Sequence, residues 1–410
     1  MVCIGIDWSD QSHSFCIVDE TGKKLHAFEI PHGQSGFEIA HERIAKYAPA
    51  TQDALVAIET KDSLIVDFFL ELGYSLHFLN PKQTDRFRDR HRMSSAKSDG
   101  FDAYVLADAL RTDRHLFNAL SALDDYSLKL RVLTRTREGL VQRKVAVSNE
   151  LTAALKRYFP VALKLFGGLD TPEAICFLLA YPTYAQAKTV SVSRIHSVLK
   201  KAGLSERVAQ RRAQTINSKL QEPQPTPAPS IVEAYPMAVK SLLRQMQSIL
   251  EELDAVEEQI KVNYKDHPNK ELLESLPGIA STLGPVLAAE LGSDITRFAD
   301  VRTLKAFAGS SPVTERSGKY CEIKFRRACN GRVRQALHLA SRSAITSCRW
   351  ARQLYDKLRS QGKSYGRALR AVANQLIEML YTILLRRTPY SESYHLRMRE
   401  LHSTTSSVLT

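Results

Sequence analysis

The sequence predicts an α/β domain followed by a mostly α-helical remainder, and three observations carry that reading. Three β-prone runs adjoin one another at the start of the chain, strand-like and helix-like runs then alternate up to about residue 120, and heptad-spaced apolar residues mark two later stretches. With 410 residues, at ~100–200 per domain, two or three domains are expected, each able to bury a core.

The three runs are Val2 to Ile6, Ser14 to Val18 and Leu25 to Ile30, separated by polar or turn residues such as Glu20-Thr21-Gly22. The pattern then predicts a helix from Phe37 to Tyr47, a strand at Leu55 to Ile58, a helix from Leu64 to Leu72, a strand at Ser75 to Leu79 and a helix from about Asp99 to Leu110. Three consecutive strands followed by αβαβα make a mixed sheet flanked by helices. This is the order of the ribonuclease-H-like fold, placed at residues 1–120.

From Tyr126 to Phe159 the pattern is helical, with Leu133, Leu140 and Val147 seven apart. Val239, Leu242, Met246, Ile249, Leu253, Val256 and Ile260 keep a 3-4 spacing, the seam of a coiled coil or helical hairpin. The coiled-coil middle is thus assigned to residues 121–265, with a helical insert at 171–220 and a proline-rich, semi-extended linker at 221–230. A mostly helical C-terminal domain follows at 266–395. There Leu276-Pro277-Gly278-Ile279 before the Pro285 to Leu291 helix reads either as half of a helix-hairpin-helix, offering N–H groups to a phosphate, or as a plain helix turn. A loop-rich stretch from Ala308 to Gly331 precedes helices at about Arg332 to Leu358 and Arg367 to Arg387, and residues 396–410 read as a mobile tail.

Composition narrows the function class. No window approaches the ~18 apolar residues of a membrane span, and Met1 leads into a strand instead of a signal peptide, so a cytoplasmic protein without a membrane partner is expected. The six cysteines form no CxxC pair and read as reduced packing residues. Residues 301–410 hold 21 Lys+Arg against 6 Asp+Glu, whereas the first 300 residues hold 36 against 38. A basic C-terminal third on a near-neutral body is the footprint of a polyanion partner, unless it is a solubilising surface.

Carboxylates concentrate at the other end. Asp7 follows the first apolar strand, Glu59 follows Leu55-Val56-Ala57-Ile58, and Asp99 and Asp102 share a face at a predicted helix start. An acid at the end of a buried strand is costly without a charge partner or metal. Four such groups around one pocket call for two Mg²⁺ or Mn²⁺ ions, hard cations that clamp phosphoryl transfer. The alternatives are a turn residue at Asp7 and a helix cap at Asp99 and Asp102. Asp10, Asp62 and Asp108 rank lower, lying in loop or mid-helix segments.

These residues resemble the bridge-RNA-guided insertion-sequence transposases, a family that includes Piv-type DNA invertases. Gly5-Ile6-Asp7, Ile58-Glu59-Thr60 and Lys97-Ser98-Asp99-x-x-Asp102-Ala103 look like its DEDD, RuvC-like domain. Leu276-Pro277-Gly278-Ile279, Ala308-Gly309-Ser310-Ser311-Pro312 with Ser317-Gly318, and Tyr365-Gly366 look like its C-terminal transposase domain. The resemblance spans about residues 1–160 and 230–395. One departure stands out: the family's usual Lys-x-Gly-Asn before the next helix is Arg327-Ala328-Cys329-Asn330-Gly331-Arg332 here.

The resemblance implies an RNA-guided DNA transposase in which Asp7, Glu59, Asp99 and Asp102 bind divalent metal and Ser317 forms a transient 5′-phosphoserine link to DNA. Ser310 and Ser311 are the fallback nucleophiles. It further implies element-end and target DNA and a structured guide (bridge) RNA as partners. Arg316, Lys319, Lys324, Arg326, Arg327 and Arg332 crowd the Ser317 segment and are the candidate phosphate-binding residues. No Walker-type motif occurs, so no ATP is expected, and the heptads point to a homodimer or higher homo-oligomer. A Piv-like invertase, a metal-only junction nuclease and a non-enzymatic RNA- or DNA-binding scaffold are the competing readings.

Overall fold

The computed structural model describes residues 1–91, 99–117, 119–120, 123–318 and 320–397, which form two compact units, Met1–Leu123 and the chain from Asp124 onward. The expected tail at 398–410 lies outside the described residues.

The first unit is a five-stranded sheet in the order β3-β2-β1-β4-β5. Its strands are β1 (Val2–Trp8), β2 (Ser12–Val18), β3 (Lys24–Pro31), β4 (Ala54–Ile58) and β5 (Ser75–Phe78). The first three pair antiparallel, while β1–β4 and β4–β5 pair parallel. This is the expected mixed sheet, and its first and fourth strands lie side by side. Helices α1 (Gln34–Ala45) and α2 (Leu64–Glu71) cover the face carrying Ile4, Ile6, Val56 and Ile58. The other face carries Cys3, Cys16, Leu55 and Ala57. The chain next forms α3 (Pro81–His91) and α4 (Asp99–Asp113), and α4 lays Ala103, Leu106, Ala107 and Leu110 on that second face. Sequence periodicity missed α3 because Thr84 is its single buried residue, so no apolar stripe announces it. The Asn80-Pro81 start is the signal that was present: the Asn80 side chain accepts a hydrogen bond from the N–H of Lys82 at 3.0 Å.

The second unit is built on two long helices, α5 (Asp125–Tyr158) and α11 (Pro229–Lys265), packed on each other as a hairpin. Between them run α6 (Ala162–Leu165), α7 (Pro172–Ala180), α8 (Tyr184–Lys188), α9 (Val192–Lys201) and α10 (Glu206–Leu220). These pack a core against one end of the hairpin, with Leu151, Leu155, Val239 and Met246 facing the insert. The seam departs from the predicted one: Leu243 is fully buried in place of Leu242, and Ile249 and Val256 are only partly buried. A straight helix turns 3.6 residues per turn, not 3.5, so a strict heptad drifts off the contact line. The proline linker is also shorter than expected, because Pro229 and Ser230 already belong to α11, where Pro229 stands in the first turn and needs no N–H partner.

The other end of the hairpin joins a core made by α12 (Lys270–Ser275), α13 (Gly284–Leu291), α14 (Val301–Phe307), α15 (Gly331–Ser347), α16 (Arg349–Ser360) and α17 (Tyr365–Arg386). The predicted single helix from Arg332 to Leu358 is two helices. Extended Cys348 separates them and lets Trp350 turn inward, where its indole N–H donates to the Tyr390 hydroxyl at 3.0 Å. By length and composition α17 is apolar enough to cross a membrane, but it buries Val372, Leu376, Ile377, Leu380 and Leu384 in this core. The stretch from Ala308 to Gly331, expected as loop, contains an antiparallel hairpin of β6 (Val313–Ser317) and β7 (Tyr320–Lys324).

The Leu276-Pro277-Gly278-Ile279 segment lies in the turn between α12 and α13. A side chain on Gly278 would meet the carbonyl oxygen of Ala340 at 2.1 Å, so this turn is a packing joint against α15. The N-terminus of α13 is buried, with the Gly284 N–H already donating to the carbonyl of Ala280 at 3.0 Å.

Candidate active site

The parallel register of β1 and β4 brings the first two acids together. Ile6 pairs with Ile58, so Asp7 and Glu59 are the next residues on adjacent strands. Strand side chains alternate in face, and Cys3, Gly5 and Asp7 share one side as do Leu55, Ala57 and Glu59. That is the side covered by α4, whose first turn carries Asp99 and Asp102. The helix reaches its seat because residue 5 has no side chain: a Cβ there would stand 1.8 Å from the Ala103 carbonyl oxygen and 2.7 Å from the Ala107 nitrogen. Gly5 in the Gly5-Ile6-Asp7 segment is therefore a spacing device for the carboxylates of α4.

The four acids are electrostatically one group. Burial, followed by the charges of Asp102, Asp99 and Glu59, pushes the Asp7 carboxyl up to about 6, with Arg88 of α3 offsetting part of the rise. Arg88 was absent from the sequence expectation because its helix was. Its Nε donates to Asp102 at 2.8 Å and its Nη1 to Asp85 at 2.6 Å, so a guanidinium neutralises one member of the set. Among the described residues no three acidic, His or Cys side chains are drawn together as a closed coordination set. The donor chemistry nonetheless fits a hard divalent cation: every donor is a carboxylate oxygen, and their mutual repulsion is what such an ion relieves. Asp108 is different in kind, buried and satisfied by Arg111 at 2.6 Å and His91 at 3.0 Å. Asp10 and Asp62 are exposed.

Ser317, in the second unit, is the last residue of β6 and pairs with Tyr320 across a turn that begins at Gly318. The expected loop serine is thus a strand-end serine at a hairpin tip. Every residue of β6 and β7 except Val313 is exposed, and the Ser317 hydroxyl makes no hydrogen bond among the described residues. The six basic candidates divide by their partners. Lys324 is held by Glu315 and Glu322, Arg332 by Glu138 at 2.6 Å, and Arg326 donates to the Ser311 carbonyl at 3.2 Å. Arg316 and Arg327 are exposed on the hairpin and just beyond it, whereas Lys319 lies outside the described residues, as do Lys97 and Ser98.

The departing Asn330-Gly331 turn has a clear structural task. The Asn330 side chain accepts from the N–H groups of Arg332 and Val333 at 3.0 and 3.1 Å, capping α15. Its amide donates to Glu290 at 2.8 Å, and Glu290, only 1% exposed, also receives Arg135 at 3.3 Å. The turn ties the strand segment to α5 and α13 through a buried, compensated charge, leaving Arg332 committed to protein contacts.

The chain matches a family model of the DEDD IS110 type, described as Transposase, over residues 4–160. It matches a second, described as Transposase IS116/IS110/IS902 family, over residues 270–356. It is 30% identical to the mini-circle putative transposase for IS117 of Streptomyces coelicolor over 95% of both chains. It is 26% identical to the insertion element IS110 uncharacterized 43.6 kDa protein of the same species, over 93% of this chain and 94% of that one. Identity to the insertion element IS900 uncharacterized 42 kDa protein of Mycobacterium paratuberculosis is 26%, over 78% and 79% of the two chains.

Proposed function

Because the chain belongs to the IS116/IS110/IS902 family of transposases, enzymes that cut and rejoin DNA, we propose that Asp7, Glu59, Asp99 and Asp102 are its metal-dependent cleavage centre and Ser317 its nucleophile. The observation that carries the first half is the β1–β4 register, which sets Asp7 beside Glu59 on the face of α4, together with the Asp7 carboxyl raised first by burial and then by the charges of Asp102, Asp99 and Glu59. Two Mg²⁺ or Mn²⁺ ions would supply neutralisation of phosphate charge and a lowered barrier to in-line displacement.

The serine step balances as a transesterification. The Ser317 oxygen attacks phosphorus, its proton passes to a base, and the bond to the 3′ oxygen breaks as that oxygen takes up a proton. A 5′-phosphoserine ester remains, and attack on it by a free 3′ hydroxyl restores DNA and serine. One phosphodiester is exchanged for another, so no nucleotide hydrolysis is needed. The carboxylates on the Ser317 hairpin, Glu315 and Glu322, are both engaged by Lys324, and a metal centre of one copy serving the serine of another copy is our reading of the assembly. Exposed Arg316 and Arg327 hold the phosphate.

A structured guide RNA pairs with donor and target DNA in this reading, the protein contacting backbone and shape. The resemblance of the two motif sets supports it, and the +15 balance of residues 301–410 supplies the phosphate-binding surface. The test is to incubate the protein with end-containing DNA, the flanking transcript and Mg²⁺, and to resolve protein–DNA adducts on a denaturing gel. The adduct is expected in the wild type, lost in Ser317→Ala and Asp7→Asn, and dependent on the transcript. An adduct that persists in Ser317→Ala removes the serine assignment, and one indifferent to the transcript removes the guide.

A further inference from the structure

We propose that the C-terminal domain binds a single unpaired nucleobase in a cavity beside the β6–β7 hairpin. The cavity measures about 290 Å³, near the lower end of the ~300–1,000 Å³ of small-ligand pockets, and suits one planar ring. Its lining is apolar inside, with Leu337 and Ile377 buried, and polar at the mouth, where His338 is exposed.

Phe325 at its edge is 47% exposed, unusual for an aromatic ring with a core beside it. Two guanidinium groups flank that ring, Arg334 at 5.2 Å and Arg370 at 5.5 Å from its centroid. Neither arginine has a carboxylate within ion-pair reach among the described residues, and no carboxylate lines the cavity. Among the described residues the Arg334 side chain makes one hydrogen bond, a weak one to the Cys329 sulfur at 3.4 Å.

Each part answers one part of a nucleotide. An aromatic ring and guanidinium planes are the surfaces on which single-stranded bases stack, an apolar interior takes the ring, and uncompensated arginines take the adjoining phosphates. A paired base cannot enter, since its ring is sandwiched in the duplex and only its edges are accessible. The proposal rests on transposase membership, not on Ser317. Position adds a purpose: the register pairs Val313 with Lys324 and Ser317 with Tyr320, so Phe325 leaves the base of the hairpin whose tip bears Ser317. At ~3.4 Å per residue the two ends are about 14 Å apart, so a captured base would anchor the strand that passes the tip.

The test uses the full chain with a DNA duplex of about 20 base pairs, the same duplex with one bulged 5-iodo-deoxyuridine, and an RNA duplex pair built the same way. Wild type is expected to bind at least one bulged form about tenfold more tightly than its paired counterpart, within the range for a base stacked on an aromatic side chain. Ultraviolet irradiation of the bulged complex should crosslink the peptide containing Phe325. Phe325→Ala, at an exposed site where refolding is not at stake, should reduce the preference to about twofold or less, and Arg370→Ala should weaken it. Preference in the DNA arm assigns the base to a DNA strand, and preference in the RNA arm assigns it to the guide. Equal affinity for bulged and paired forms in both arms overturns the proposal, as does a preference that Phe325→Ala and Arg370→Ala both retain.

Discussion

Gly5→Ala adds one methyl group, and the fold gives it no room. Its Cβ would lie 1.8 Å from the Ala103 carbonyl oxygen and 2.7 Å from the Ala107 nitrogen. Carbon–oxygen contacts settle near ~3.5 Å, so α4 or β1 has to retreat by about 1.7 Å. Both obstructing atoms belong to the helix backbone, so no rotamer change relieves the clash. Overpacking of this kind costs ~1–3 kcal/mol, and a rigid backbone obstacle puts this case at the top of that range, about 3 kcal/mol, or ~10 °C in the unfolding temperature of the first unit. The same retreat carries Asp99 and Asp102 away from Asp7 and Glu59, and misplacement of about 1 Å in a reacting constellation costs ~100-fold in rate. Calorimetry and strand-cleavage kinetics on the same preparation test both halves. A Gly5→Ala protein that melts within about 2 °C of wild type and cleaves at the wild-type rate would refute the account of α4 as a helix seated on bare backbone.

Asp7→Asn removes a charge that its neighbours repel, so the variant should melt higher than wild type in EDTA. Mg²⁺ should raise the melting temperature of wild type and leave the variant unmoved, and equal Mg²⁺ responses in thermal scans would contradict the site. Asp124 caps α5 and also accepts from Ser293 N–H at 2.9 Å. Burial raises its carboxyl, but hydrogen bonds from Ser127 and Ser293 outweigh that and hold it down to about 2. Stability from this depressed acid is present above its unfolded value near 4 and is lost as pH falls through about 2, so Asp124→Ala should cost ~1–2 kcal/mol at neutral pH and lose less than wild type on acidification. Leu243→Ala should cost ~2–5 kcal/mol and Leu242→Ala clearly less, measured by urea unfolding; the reverse order would restore the heptad register.

The sheet was legible because each of its strands is a run of β-prone residues bounded by turn chemistry, and the order of runs leaves few topologies open. The acids were legible for a related reason: Asp7 and Glu59 break otherwise apolar strands at their ends, where a charge has to be accounted for. Register was not legible. Which face Asp7 takes relative to α4 depends on pairing Ile6 with Ile58, a contact 52 residues apart in sequence. Arg88 was invisible because α3 lies on the surface and lacks an apolar stripe, and the β6–β7 hairpin because Thr314, Glu315, Arg316, Glu322 and Lys324 blur the alternation that marks a strand. At Gly278 the sequence did not show the packing role: the space a side chain would fill is taken by α15.

The β6–β7 hairpin has a further consequence. Two strands with both faces in water hold together weakly by themselves, and this pair has only Val313 partly sheltered. In the proposed reaction the cost of holding Ser317 in one pose would be met by bound nucleic acid. That would make the nucleophile conditional on a correctly assembled complex. Amide hydrogen exchange that is fast across residues 313–324 in the free protein and slowed in the complex is the signature of an enzyme that arms itself only on its own substrate.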